Sequence, residues 1–290
     1  MDKDGNPIAS WYDQLGYDVK LVDHWDCPEE NDARILTMPN IPKPMHNCAP
    51  RTLLGSSVWN FMRKKCYEKA NDTCEICGDC PEDKHYRHAH ELYSIDYAKQ
   101  EVKFVRPICV CKNCHLLCIH TGRALTLYKQ GSPYYPADSL LFGAEHCFKQ
   151  ISEYNKAHPD EEPLRVFQTW LDYLKEPELE PRMRELIERY DIKFYRVLNK
   201  WENKKSYFKK WKMLIGDKWY PTPYESMSEW EEAMSKRNHD NIKGEDHGYK
   251  GQFVGDVFDE LDKIFAKKSW HNRNGVVNLN YINIIKERSE

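Results

Sequence analysis

The sequence lacks the start of a secreted chain. Its opening run, MDKDGNPIASWYDQLGYDVK, places acidic and polar groups where a signal peptide needs a basic start and an apolar core. No apolar run is long enough to span a bilayer, and a cytosolic protein is the expectation. An excess of positive charge is missing too. With 43 Lys and Arg against 46 Asp and Glu, the net charge is −3, so no global field draws the chain to phosphate. Tight non-specific DNA binding is disfavoured, and only a local basic patch is left open. Collagen, coiled-coil and disordered biases are absent as well. A chain of 290 residues, 40% hydrophobic and 31% charged, suits one large or two to three small folded domains.

Cysteine, by contrast, is plentiful. Eleven cysteines in a reducing compartment do not suggest a disulfide framework, and the odd count agrees. Their paired CxxC spacing is what a metal prefers. The stretch from Cys74 to His120 reads CEICGDC, then HYRHAHEL, then CVCKNCHLLCIH, so two thiol pairs bracket a histidine-rich segment. A tetrahedral zinc site takes four thiolate or imidazole ligands, and Cys74, Cys77, Cys111 and Cys114 are the natural set. Cys80 and Cys109 sit close enough to leave the exact ligands open, and a second zinc at Cys80, His85, Cys109 or Cys118 is the lesser alternative. Otherwise Cys27, Cys48, Cys66, Cys109, Cys118 and Cys147 read as small buried apolar groups.

Four regions follow from the pattern. Residues 1–52 hold six prolines, and MPNIPKPMHNCAPR cannot be helical, because each proline removes a donor and restrains its predecessor. An extended arm docked through Trp11, Tyr12, Trp25 and Ile41 is expected. Residues 53–131 form a zinc-binding module. It opens with a helix capped by Ser56 or Ser57 and carrying Val58, Phe61, Met62 and Cys66 on one side. The first knuckle, a strand over 86–93, a turn near 98–100, a strand over 101–108, the second knuckle and a short helix from His115 complete it. Residues 132–209 read as helical, with helices over 137–157, 164–174 and 180–190 and Pro181 at the first position of the last. Residues 210–290 read as a small α+β domain. It has a hairpin turning at Gly216-Asp217, a capping box of Ser228 and Glu231, a polar loop over 237–251, a helix through Val254, Val257, Phe258 and Leu261, and a strand from Val276.

A CxxC knuckle, a strand carrying His88-Ala89-His90-Glu91-Leu92, and a second knuckle of the form CxxCH from Cys111 to His115 stand in one order, with His120 one turn further on. This arrangement resembles the zinc-stapled HNH, or ββα-metal, endonuclease family over roughly residues 56–124. The resemblance implies a zinc-bound ββα fold. It also implies phosphodiester hydrolysis, in which a divalent ion binds the scissile phosphate and a positioned base deprotonates water. Two registers fit. With His90 as base, the adjacent metal-ligand position holds Ala89, which has no donor. With His90 as metal ligand beside His115, the base position holds Glu91. The family's central Asn has no counterpart in residues 100–106. Alternate strand residues share a face, so His88 points with His90 and Glu91 points away. His88, His90 and His115 are therefore the expected catalytic-metal cluster, with His90 and Glu91 the expected catalytic residues.

Two functions stand at this level. One is a metal-dependent endonuclease acting on nucleic acid, with structural Zn2+ and Mg2+ or another divalent ion at the active site. The other is a catalytically degenerate protein on the same scaffold that works through protein–protein binding, such as a phage-type inhibitor of a host defence complex or a subunit of a homo-oligomer. Aromatic content of 13%, with nine tryptophans, fits a contact surface. No membrane partner is expected.

Overall fold

A computed structural model describes residues 11–29, 32–79, 87–198 and 206–243, with side chains through residue 235. The chain opens with helix α1 (Trp11–Gln14), strands β1 (Val19–Val22) and β2 (His24–Trp25), tight helical turns at Ala33–Thr37 and Lys43–Met45, and helices α2 (Pro50–Leu53) and α3 (Ser56–Lys69). A long hairpin follows, β3 (Arg87–Asp96) and β4 (Glu101–Cys111), then a π-helical turn over Cys114–Ile119 and helix α4 (Thr121–Lys129). Helix α5 (Ala137–Ala157), strand β5 (Val166–Phe167), a tight helix over Gln168–Lys175, helix α6 (Glu180–Arg189) and strand β6 (Phe194–Val197) come next. Helix α7 (Tyr207–Lys210), strands β7 (Lys212–Ile215) and β8 (Lys218–Pro221), and helix α8 (Met227–Lys243) complete the described part of an α+β fold. No helix among the described residues is long and apolar enough to cross a membrane.

Several local expectations need correction. The arm is not uniformly extended: Pro44 and Pro50 each sit in the first turn of a short helix, where a missing N–H costs nothing. Helix α3 is capped by Gly55 rather than a serine, and Gly55 has φ 87°, a conformation few other residues adopt cheaply. The helix expected over 164–174 is a two-residue strand followed by a tight helix. Val166 donates its N–H to the Lys193 carbonyl at 2.9 Å, and sheet pairing there displaces the first helical turn. The cap of α8 lies two residues early: Ser226 Oγ accepts from Glu229 N at 3.3 Å while Glu229 Oε2 accepts from Glu225 N at 2.7 Å. Helix α8 runs through Lys243, into the stretch read as loop. Cys80, His85, and the helix and strand expected beyond residue 251 lie outside the described residues.

Two sheets carry the fold. Strands β2, β3, β4, β7 and β8 form one in that order, and β1, β6 and β5 form the other. The β3–β4 hairpin is its antiparallel centre, with a register shift between Leu92 and Tyr93. Gln100 takes φ 61° in its turn, and its side-chain amide donates to the Tyr207 carbonyl at 3.0 Å. Gly216, φ 61°, closes the β7–β8 hairpin as its Gly-Asp pair requires. One core packs α5, α6, β6 and the Gln168–Lys175 helix against the cysteine-rich end of β4, around Phe148, Trp170, Leu171 and Phe194. The other fills the opposite end of the hairpin with Met62, Tyr93, Phe104, Trp211 and Tyr220. The knuckles and the π-helical turn are thereby wedged between β4 and α5.

Candidate metal centre

Two clusters of metal-binding side chains lie side by side. In the first, the sulfurs of Cys74, Cys77, Cys111 and Cys114 all fall within 4.8 Å of one another. Cys77 Sγ and Cys111 Sγ are 3.8 Å apart. A tetrahedron with metal–sulfur bonds of about 2.3 Å has edges of about 3.8 Å, so four thiolates here fit a divalent ion such as zinc. Both knuckles have the turn such a site needs. Gly78, φ 74°, returns its N–H to the Cys74 carbonyl at 2.9 Å, and Cys114 N donates to Cys111 Sγ at 3.4 Å. Hydrogen bonds from neighbouring sulfurs, foremost Cys111 for Cys74 and Cys114 for Cys111, hold these two groups below the ordinary thiol range. His146, from α5, brings Nε2 to 3.3 Å from Cys114 Sγ.

Glu75 ties the first knuckle to the sheet. Its carboxylate accepts from Cys109 N at 2.7 Å, its own N–H goes to the Cys109 carbonyl at 2.8 Å, and Arg106 faces it at 3.8 Å. Burial raises the Glu75 pKa, against the pull of the Cys109 N–H and Arg106. Arg106 is thus a buried structural cation. Among the other thiols, burial pushes Cys48 to about 12 and, with the nearby Glu75 charge, Cys109 to about 12, which leaves both inert. Cys118, also buried, donates to the Gly143 carbonyl at 3.4 Å. Neither Cys109 nor Cys118 joins a second cluster among the described residues.

The second cluster is made of imidazoles. His90, His115 and His120 bring one ring nitrogen each within 4.8 Å of one another. His90 comes from β3 and is 3% exposed, and neither of its ring nitrogens has a hydrogen-bond partner. His115 and His120 approach Nε2 to Nε2 at 3.2 Å. The expected set was His88, His90 and His115. His88 instead stacks flat on His115, with ring centroids 4.7 Å apart, and His120 takes the third place. On an ordinary α-helix, residues five apart diverge by about 140°. Here His120 N donates to the His115 carbonyl at 3.2 Å, the five-residue bond of a π-helical turn, and the two side chains share a face.

Burial strips protons from this trio. It drives His90 well below the usual histidine range, His115 to about 2 and His120 to about 4. The charges of Arg51 and Arg123 act in the same direction on His115 and His120. All three rings are neutral near pH 7, the state a metal requires. Glu91, next to His90, has Oε1 buried without a partner; burial raises its pKa and Arg51 opposes the rise.

The chain matches no family model, no curated protein and no solved structure. The site must therefore be argued from its own geometry. Glu75, His146 and Arg51 were not singled out by sequence reasoning, since none lies in a ligand spacing. Only the fold carries α5 to the second knuckle and the Arg51 charge of α2 to the histidines.

Proposed function

We propose that this chain is a metal-dependent nucleic-acid phosphodiester hydrolase of the HNH, or ββα-metal, type, stapled by zinc at Cys74, Cys77, Cys111 and Cys114. The observation that carries this reading is His90. A buried imidazole with both nitrogens unpartnered is costly and uncommon, and it stands against two further imidazoles at ligand spacing. The 3.2 Å separation of the His115 and His120 nitrogens agrees with the roughly 3.0 to 3.4 Å expected between neighbouring ligands at bonds of about 2.1 Å. His90, His115 and His120 would hold the ion. A divalent ion there supplies charge stabilisation for the scissile phosphate and the departing oxygen.

The protein's own groups orient the site. His88, stacked on His115, fixes that ring's plane. The register that makes His90 a ligand puts Glu91 at the base position, but Glu91 points to the other face of β3 and its charge bears on none of the three imidazoles, so it stands outside the trio. A second reading, a zinc-stapled protein that acts only by protein binding, draws on the exposed rings of Tyr134 and Phe142.

One titration separates the two. Purified protein is offered plasmid DNA and structured RNA with Mg2+, Mn2+ or Ni2+, alongside His90→Ala. Hydrolysis expected of the wild type, lost in His90→Ala with the cysteine-bound metal and fold retained, supports the enzyme. Absence of cutting with every metal and both substrates discards it.

A further inference from the structure

The arginines divide sharply by partner. Arg34 is held by Asp32, Arg87 by Asp72, Arg106 by Glu75 and Arg165 by Asp18, and the others with described side chains are held likewise by a carboxylate or, for Arg63, by the Asn60 amide. Arg51 and Arg123 are the exceptions, exposed and without a hydrogen bond or ion pair among the described residues, although the Arg51 charge also bears on the Glu91 carboxyl. They come from separate elements, α2 and α4, yet the charge of each bears on both His115 and His120.

Arg123 is also misplaced by the ordinary rules of helix electrostatics. It lies in the first turn of α4, a nine-residue helix with no acidic residue in that turn, and His120 stands at the cap without a side-chain hydrogen bond to the free amides. The positive end of the helix dipole thus has a cation added to it, which is unfavourable unless an anion sits there. His90, buried and unpartnered, is aimed into the same place, its ring 5.2 Å from that of His120. Lys112 also puts its charge on His88, which stacks on His115. This is a small positive mouth on a chain whose net charge is −3.

We infer that Arg51 and Arg123 form a two-armed clamp for a backbone phosphate of nucleic acid at the mouth of the histidine trio. A guanidinium presents a planar fork that matches phosphate oxygens two at a time, and two forks from separate elements fix a diester in one orientation. The clamp rests on the proposed hydrolase for the purpose of the site, but its binding function stands separately. A clamp this narrow predicts a modest footprint, with most of the affinity concentrated in a few contacts.

The test is binding of a short labelled duplex of mixed sequence to the full chain, with no catalytic ion added, over a range of salt. Arg51→Ala and Arg123→Ala are each expected to weaken binding about tenfold and to lower the log–log salt slope by about 1, equally for unrelated sequences. Arg→Lys at either position is expected to keep the slope while losing part of the affinity. Unchanged melting of the variants keeps a folding defect apart from the effect. Failure of the wild type to bind, or variants that bind with wild-type affinity and slope, overturns the clamp whatever the cutting assays give. Displacement by inorganic phosphate as effective as by unlabelled duplex overturns the assignment to a backbone. Binding that depends on both arginines upholds it even if no metal supports hydrolysis, which would remove the enzyme alone.

Discussion

His90 shows how one residue sets the pH response of the site. Its folded-state pKa is depressed by burial, as are those of His115 and His120. Between these values and about 6.5 the unfolded chain binds protons that the folded trio refuses. Their contribution to stability is therefore complete above about pH 6.5 and falls as the pH drops toward 4, where His120 itself begins to titrate in the folded state. For the metal-free protein, the urea midpoint is expected to decline across that window, and less steeply in His90→Phe; an equal decline in both proteins would assign it to other groups. The clustering of the four cysteines was legible because CxxC spacing presets the local turn. Membership of the trio was not. Strand alternation placed His88 beside His90, but the exchange of His88 for His120 depends on a π-helical turn that periodicity does not announce.

Among the elements, α5 presses hardest on the site. Gly143 faces Leu117, and a Cβ built on it would fall 2.5 Å from Leu117 Cβ and 3.2 Å from the Leu117 carbonyl. Alanine would normally help a helix interior by about 1 kcal/mol. Here that gain is opposed by overpacking of about 1 to 3 kcal/mol, because Leu117 belongs to the π-helical turn between Cys114 and His120. Gly143→Ala is expected to lower the denaturation midpoint and to loosen metal at the cysteines, followed by release to a chromogenic chelator; a rise in the midpoint would show that the turn yields freely. The long helices α5 and α6 were readable from their apolar stripes. The strand at Val166–Phe167 was not, since two residues give no period and only their partners in β6 define them.

For the whole molecule, the cysteine cluster is part of the larger core. Cys74, Cys111 and Cys114 share that core with Phe148, Trp170 and Phe194, so metal and helical layer should be lost together. With about 10 kcal/mol available from a structural zinc, Cys114→Ser or strong chelation is expected to abolish near-UV circular dichroism and release the ion in one transition. Survival of the tertiary signal after the ion has left would separate the two. Glu101 of β4 pairs in parallel with Lys212 of β7, and β7 and β8 close the sheet beyond it. A nascent chain with its cysteine knuckles already translated still exposes the Glu101–Lys103 edge of β4 until residues near 215 have left the ribosome. An open strand edge of this kind is an aggregation hazard until β7 covers it.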